Sequence, residues 1–162
     1  MIRHFKFEHD IYETLDLVPM AVRRKLDHIG IKVGLEQWRM LSRGERLAIC
    51  HLPVNLEEEC EALRVFVREA VKRLTGAEPK TIPAAERTLA DPPAEPPSLL
   101  VEHAREAGFV LDENAWNKLD ADARYALVKM GARAKISPNF SEALNEFLSA
   151  HVDAAPSPEV KS

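Results

Sequence analysis

Six residues recur along this chain at a spacing of 78. Pro19, Gly30, Trp38, Leu41, Arg46 and Ala48 meet Pro97, Gly108, Trp116, Leu119, Arg124 and Ala126. Ile31/Phe109, Val33/Leu111 and Ile49/Leu127 match in kind, and Ser42/Asp120 match as helix caps. After a three-residue insertion, "EALRVFV" from Glu61 aligns with "EALNEFL" from Glu142. A fixed internal period constrains a fold more tightly than composition does, because each copy must satisfy the same local geometry. The reading is two copies of a helix–Gly–extended–helix–helix–helix unit. Each is too small to bury its own faces, so one shared core is expected.

Local chemistry agrees with helices. Pro19 suits a first helical turn, where its missing N–H costs nothing. Val22, Leu26 and Ile29 then follow at i, i+4, i+7, and Gly30 supplies a left-handed stop. "IKV" is expected to be no more than a short extended link. Leu35 to Leu41 reads as a short helix, and Ser42 with Glu45 as a capping box opening the next one to about His51. Pro53 breaks the chain. Asn55 with Glu58 opens the longest helix, with Leu56, Cys60, Leu63, Val67, Ala70 and Leu74 apolar and Gly76 closing it. "FKFEHDIYETL", with Phe5 and Phe7 alternating, reads as an edge strand or an extended arm over the core. The fold class is therefore all-α.

One helical domain is expected over 1–152, with repeat one at 19–76, a linker at 77–97, repeat two at 97–151, and a disordered tail at 153–162. The linker assignment rests on proline: six of the eleven prolines fall in "EPKTIPAAERTLADPPAEPP", which has neither a helical nor a strand period and suits a semi-extended segment.

A formal charge of −4 over 162 residues argues against a general nucleic-acid binder. No apolar run approaches a membrane span, and "MIRHFKFEHD" lacks the apolar core of a secretory signal. A cytoplasmic location and no membrane partner are expected. Cys50 and Cys60 read as reduced, buried small hydrophobes.

No catalytic signature is present. The chain lacks a Walker loop, G-x-G-x-x-G, H-E-x-x-H and G-x-S-x-G. Cys50, His51 and Cys60 do not have the paired spacing of a zinc site, and His4, His9 and Asp10 are a weak set. Neither a metal nor a cofactor is expected.

The internal period sorts the remaining polar residues. Those kept in both halves have scaffold reasons: Pro19, Gly30, Trp38, Arg46, Gly108, Trp116 and Arg124. The tryptophans should be core anchors with their indole N–H on a carbonyl. Arg46 and Arg124 are expected to pair with Ser42 and Asp120, one turn back. Those that differ are the candidates for function. "RRKLDH" faces "VEHARE" at the offset, so Arg24 meets Glu102 and Asp27 meets Arg105. Arg23, Arg24, Lys25, Asp27 and Lys32 form the candidate partner- or anion-binding set. The alternatives are a solvated helix face and charge pairing between the two first helices.

The stretch "FKFEHDIYETLDLVPMAVRRKLDHIGIKVGLEQW" resembles the opening of the nitrate reductase-associated protein family. That pattern runs F-x-F-E and then (I/V)-P-M-x-V-R-x-K-L-D-x-x-G-I-K-(L/V)-x-x-x-x-W. It is met here by Phe5, Phe7, Glu8, Val18, Pro19, Met20, Val22, Arg23, Lys25, Leu26, Asp27, Gly30, Ile31, Lys32, Val33 and Trp38. Family members often carry Cys two residues before the proline, where this chain has Leu17, so no thiol role transfers. The resemblance implies a small cytoplasmic protein whose gene lies near those for nitrate assimilation and molybdenum-cofactor synthesis. It supplies a pathway and no mechanism.

Two functions are then expected. One is a non-catalytic accessory protein that binds nitrate reductase or a molybdenum-cofactor maturation protein, with Arg23, Lys25 and Lys32 meeting carboxylates or a phosphate. The alternative is an anion- or cofactor-binding protein or enzyme with a cleft between the repeats. The oligomeric state is not legible in the sequence.

Overall fold

The computed structural model describes residues 2–83, 86–87 and 90–149. The expected tail, 153–162, lies outside them. The architecture is all-α, with one two-residue strand pair. Contacts divide the chain between Asp91 and Pro92 into two compact units.

The first unit opens on a short 3-10 turn, Lys6–Glu8, and helix α1, His9–Thr14. This replaces the expected strand or extended arm. Phe5 is buried, but Phe7 is only half-buried, so the alternation does not describe one buried face. Glu8 and Tyr12, one turn apart, hydrogen bond to each other instead. Helix α2 is Met20–Ile29. Pro19 is its N-cap, one position earlier than expected, and a proline ring cannot cap. Glu8 does so from twelve residues upstream: its Oε2 accepts the Met20 N–H at 2.8 Å. Gly30 ends α2 at φ 80, and a Cβ there would also run into the Arg87 guanidinium. The backbone conformation thus disfavours a side chain, and the Arg87 guanidinium would have to shift for one.

"IKV" does more than link. Strand β1, Ile31–Lys32, pairs antiparallel with β2, Lys80–Thr81. Ile82 N–H continues the pairing to the Gly30 carbonyl, and Ala90 is buried. The first part of the proline-rich segment is therefore extended and held on the first unit, because β1 offers it unpaired main-chain groups.

Helices α3 (Leu35–Met40), α4 (Arg43–His51) and α5 (Glu57–Thr75) complete the unit. The Ser42–Glu45 capping box forms with both bonds, 3.1 and 2.8 Å. The start of α5 is capped differently from the sequence expectation: Glu59, not Glu58, accepts both Asn55 and Leu56 N–H at 2.9 Å. The core gathers Leu15, Val22, Leu26, Ile29, Trp38, Ile49, Leu63, Val67 and Val71. Cys50 and Cys60 are free thiols inside it.

The second unit holds α6 (Ser98–Glu106), α7 (Glu113–Asn117), α8 (Ala121–Gly131) and α9 (Phe140–Leu144), which runs into a π-turn at Asn145–Ser149. Gly131 is a close-packing position: a Cβ there would meet the Phe140 ring and Leu100.

Hydrogen bonds in the two units run parallel. Trp38 Nε1 donates to the Leu15 carbonyl at 2.7 Å, and Trp116 Nε1 to the Pro93 carbonyl at 3.1 Å. Arg46 donates to the carbonyls of Trp38 and Arg39, and Arg124 to those of Trp116 and Asn117. Each acceptor pair is 78 residues apart. The arginines therefore close the C-terminal ends of α3 and α7, whose carbonyls lack helical partners. Ser42 and Asp120, the partners expected for them, cap α4 and α8 with their side chains.

Candidate functional site

The five candidate residues, four on α2 and Lys32 on β1, have different surroundings. Arg24 is half-buried and donates from Nε to the Ala90 carbonyl at 2.8 Å. Lys25 is also half-buried. Its Nζ reaches the Ile49 and Cys50 carbonyls at 2.7 and 3.0 Å, closing the C-terminal end of α4. Burial pushes the Lys25 ammonium below its ordinary pKa, which fits a group held for its donors. Asp27 is half-buried. Lys32 is exposed on β1 and Arg23 is exposed on α2.

Arg23 is the exception that leads to a site. Its Nε lies 3.4 Å from the Val18 carbonyl, at the turn between α1 and α2. Three more arginines reach the same turn. Arg39 Nε donates to Asp16 O at 3.2 Å, Arg46 Nη1 to Leu15 O at 3.2 Å, and Arg43 Nη1 to Thr14 O at 3.3 Å. Residues 14–18 are thus edged by a row of guanidiniums from α2, α3 and α4.

The turn itself is strained. Leu15 adopts φ 56, the left-handed region, and is the non-glycine residue found there among those described. Such a leucine costs about 1–3 kcal/mol and persists only where its surroundings over-determine it. The surroundings are its buried side chain, the Trp38 indole and the Arg46 guanidinium.

Arg46 is mostly covered, with 13% of its side chain exposed, and its Nη1 is 3.9 Å from the Asp16 carboxylate. Arg23, Arg39 and Arg43 are exposed. Each spends one N–H on the turn, and a guanidinium has five. The outward edges of the row can therefore receive carboxylate or phosphate oxygens.

Sequence reasoning named Arg23 and missed Arg39 and Arg43. The 78-residue offset held the signal. Arg46 is kept as Arg124, whereas Arg23, Arg39 and Arg43 become Val101, Asn117 and Ala121. The second unit makes its tryptophan and arginine bonds without them.

Other clusters are weaker. A shallow hollow of about 370 Å³ is lined by His4, Phe5, Lys6, His9, Tyr12 and Glu13, with His4 stacked on Tyr12 at 3.9 Å. The Tyr12 hydroxyl lies 3.1 Å from Glu8 Oε1 and 2.8 Å from the Arg3 carbonyl. Burial, and then the Glu8 charge, push the Tyr12 pKa well up. Among the described residues, no group of three or more His, Cys, Asp or Glu is placed to hold a metal ion. Nor is any helix there long and apolar enough to cross a membrane.

No curated protein and no solved structure matches the chain. A family model does, the one described as conserved nitrate reductase-associated protein, over residues 4–147. That span takes in the arginine row and most of both units, and the chain belongs to this family.

Proposed function

We propose that the chain is a non-catalytic accessory protein of nitrate assimilation. It engages nitrate reductase, or a protein that matures its molybdenum cofactor, through the α1–α2 turn of the first unit. Family membership supplies the pathway. The observation that carries the mode of action is the arginine row, since Arg23, Arg39 and Arg43 are exposed and each gives one N–H to the turn, while half-buried Arg24 and Lys25 donate to main-chain carbonyls elsewhere. Charge-assisted bonds from arginine to carboxylate are strong and geometrically selective, which suits recognition of a folded partner.

The test is affinity capture from the native host grown on nitrate, with bound proteins identified by mass spectrometry. Wild type is compared with Arg23→Ala/Arg39→Ala/Arg43→Ala and with Lys32→Ala. The expected result is recovery of nitrate reductase or a cofactor-maturation protein with wild type and Lys32→Ala, and loss with the triple variant. Failure to recover either protein with any form would remove the reading. A thermal shift with nitrate, molybdate or a pterin would then favour the ligand-binding alternative; a ligand at a hundredfold excess over Kd adds about 2.7 kcal/mol.

A further inference from the structure

The arginine row is bordered by exposed apolar side chains. Leu17 follows Asp16 directly and is 40% exposed; Met40 follows Arg39 and is 50% exposed. Leu47 stands one helical turn beyond Arg43 on α4, at 37%. Arginine and methionine are enriched at protein interfaces, and arginine is among the residues that most often dominate their binding energy. At the 78-residue offset this border is lost as well. Leu17, Met40 and Leu47 become Glu95, Lys118 and the buried Tyr125. The second unit thus keeps the tryptophan and arginine bonds of the turn and carries neither the three apolar residues nor the three exposed arginines around it, although exposed Lys118 stands at the place of Met40.

We infer that this patch docks an acidic segment of a protein partner that carries apolar side chains among its carboxylates. The inference rests on the accessory-protein reading above and adds the chemistry of the partner. Charge selects an anionic occupant, because Arg39 and Arg43 lie on one edge with donors to spare. The apolar border selects protein over nucleic acid: a phosphate backbone leaves Leu17, Met40 and Leu47 without a partner. An acidic peptide with leucine or aromatic residues satisfies both parts.

The experiment places the photocrosslinker p-benzoylphenylalanine at Met40 in the full chain, in the native host on nitrate. Exposed Val65 and Ile136 serve as comparison positions. The expected result is a crosslink from position 40 into a segment rich in Asp and Glu with interspersed apolar residues. It should fall at least tenfold in Arg39→Glu/Arg43→Glu, with the melting temperature unchanged. If that variant does not fold, Arg39→Gln/Arg43→Gln removes the charge and keeps a donor for each carbonyl. Crosslinks into nucleic acid, into a neutral or basic segment, or undiminished by loss of the arginines would overturn the inference. Nitrate reductase captured at Val65 or Ile136 but not at Met40 removes this surface and leaves the accessory role. An acidic segment of a protein unrelated to nitrate assimilation, captured at Met40, keeps the surface and removes the role. Silence at all three positions removes both.

Discussion

Trp38 holds Leu15 in a conformation that leucine does not adopt by choice. The indole Nε1 sits 2.7 Å from the Leu15 carbonyl, and Leu15 stands at φ 56. The turn that presents the arginine row is therefore set from the core. Trp38→Phe deletes the donor and leaves a cavity where the larger ring packed. It should cost at least about 1–3 kcal/mol, from the lost buried hydrogen bond and the cavity. Urea denaturation measures this, and a cost below about 0.5 kcal/mol, the level of an ordinary surface change, would show that Arg46 alone suffices.

Glu8 caps a helix from a distance and is 3% exposed. Glu8→Gln keeps the shape but turns one acceptor into a donor. With Met20 N–H and the Tyr12 hydroxyl both facing it, a loss of about 1–3 kcal/mol is expected. The raised pKa of Tyr12 adds a pH signature. The folded state holds the phenolic proton where the unfolded chain has released it, so stability falls as pH rises past the ordinary tyrosine value of about 10. Absorbance titration should show Tyr12 ionising only at or after unfolding; ionisation near the ordinary value in the folded protein would refute the buried Glu8–Tyr12 arrangement.

Acid should act through Glu45. Its carboxylate accepts the Ser42 N–H and meets Arg73 of α5, and its pKa lies below the ordinary carboxylate value, chiefly through the Ser42 bond. The stabilisation is complete above the unfolded pKa and is lost as pH falls through the lower folded one. Glu45→Gln retains the acceptor without the charge. Its melting temperature should depend less on pH in the acid limb than that of wild type. Parallel curves would assign acid sensitivity elsewhere.

Gly131 is packed against Phe140 and Leu100 with no room for a methyl group. Gly131→Ala should destabilise by about 1–3 kcal/mol through overpacking, although alanine is the better helix former by about 1 kcal/mol. A neutral or stabilising outcome in thermal unfolding would mean that Phe140 moves aside freely.

Two helix ends and the core periods were legible because their causes are local. Ser42 with Glu45 and the left-handed Gly30 were readable from a few neighbouring residues, and both form as expected. The α1 region was not readable, because Phe5 and Phe7 imitate a strand period while the segment is organised by Glu8 reaching Tyr12 and Met20. Strand β2 was illegible for another reason: Lys80–Thr81 has no strand character of its own and is defined by a partner 50 residues away. The candidate site was half visible. Arg23 was named as one of five candidates, but Arg39 and Arg43 look like ordinary solvated positions until the strained Leu15 turn gathers them.

The claim that matters most is that the arginine row binds the nitrate reductase machinery. Isothermal titration of purified nitrate reductase or, where affinity capture recovers that instead, the cofactor-maturation protein against wild type and Arg39→Glu/Arg43→Glu tests it directly. The account predicts saturable binding by wild type and at least tenfold weaker binding by the variant, about 1.4 kcal/mol or more, at equal melting temperature. Equal affinity for both, or no binding by wild type, would contradict it.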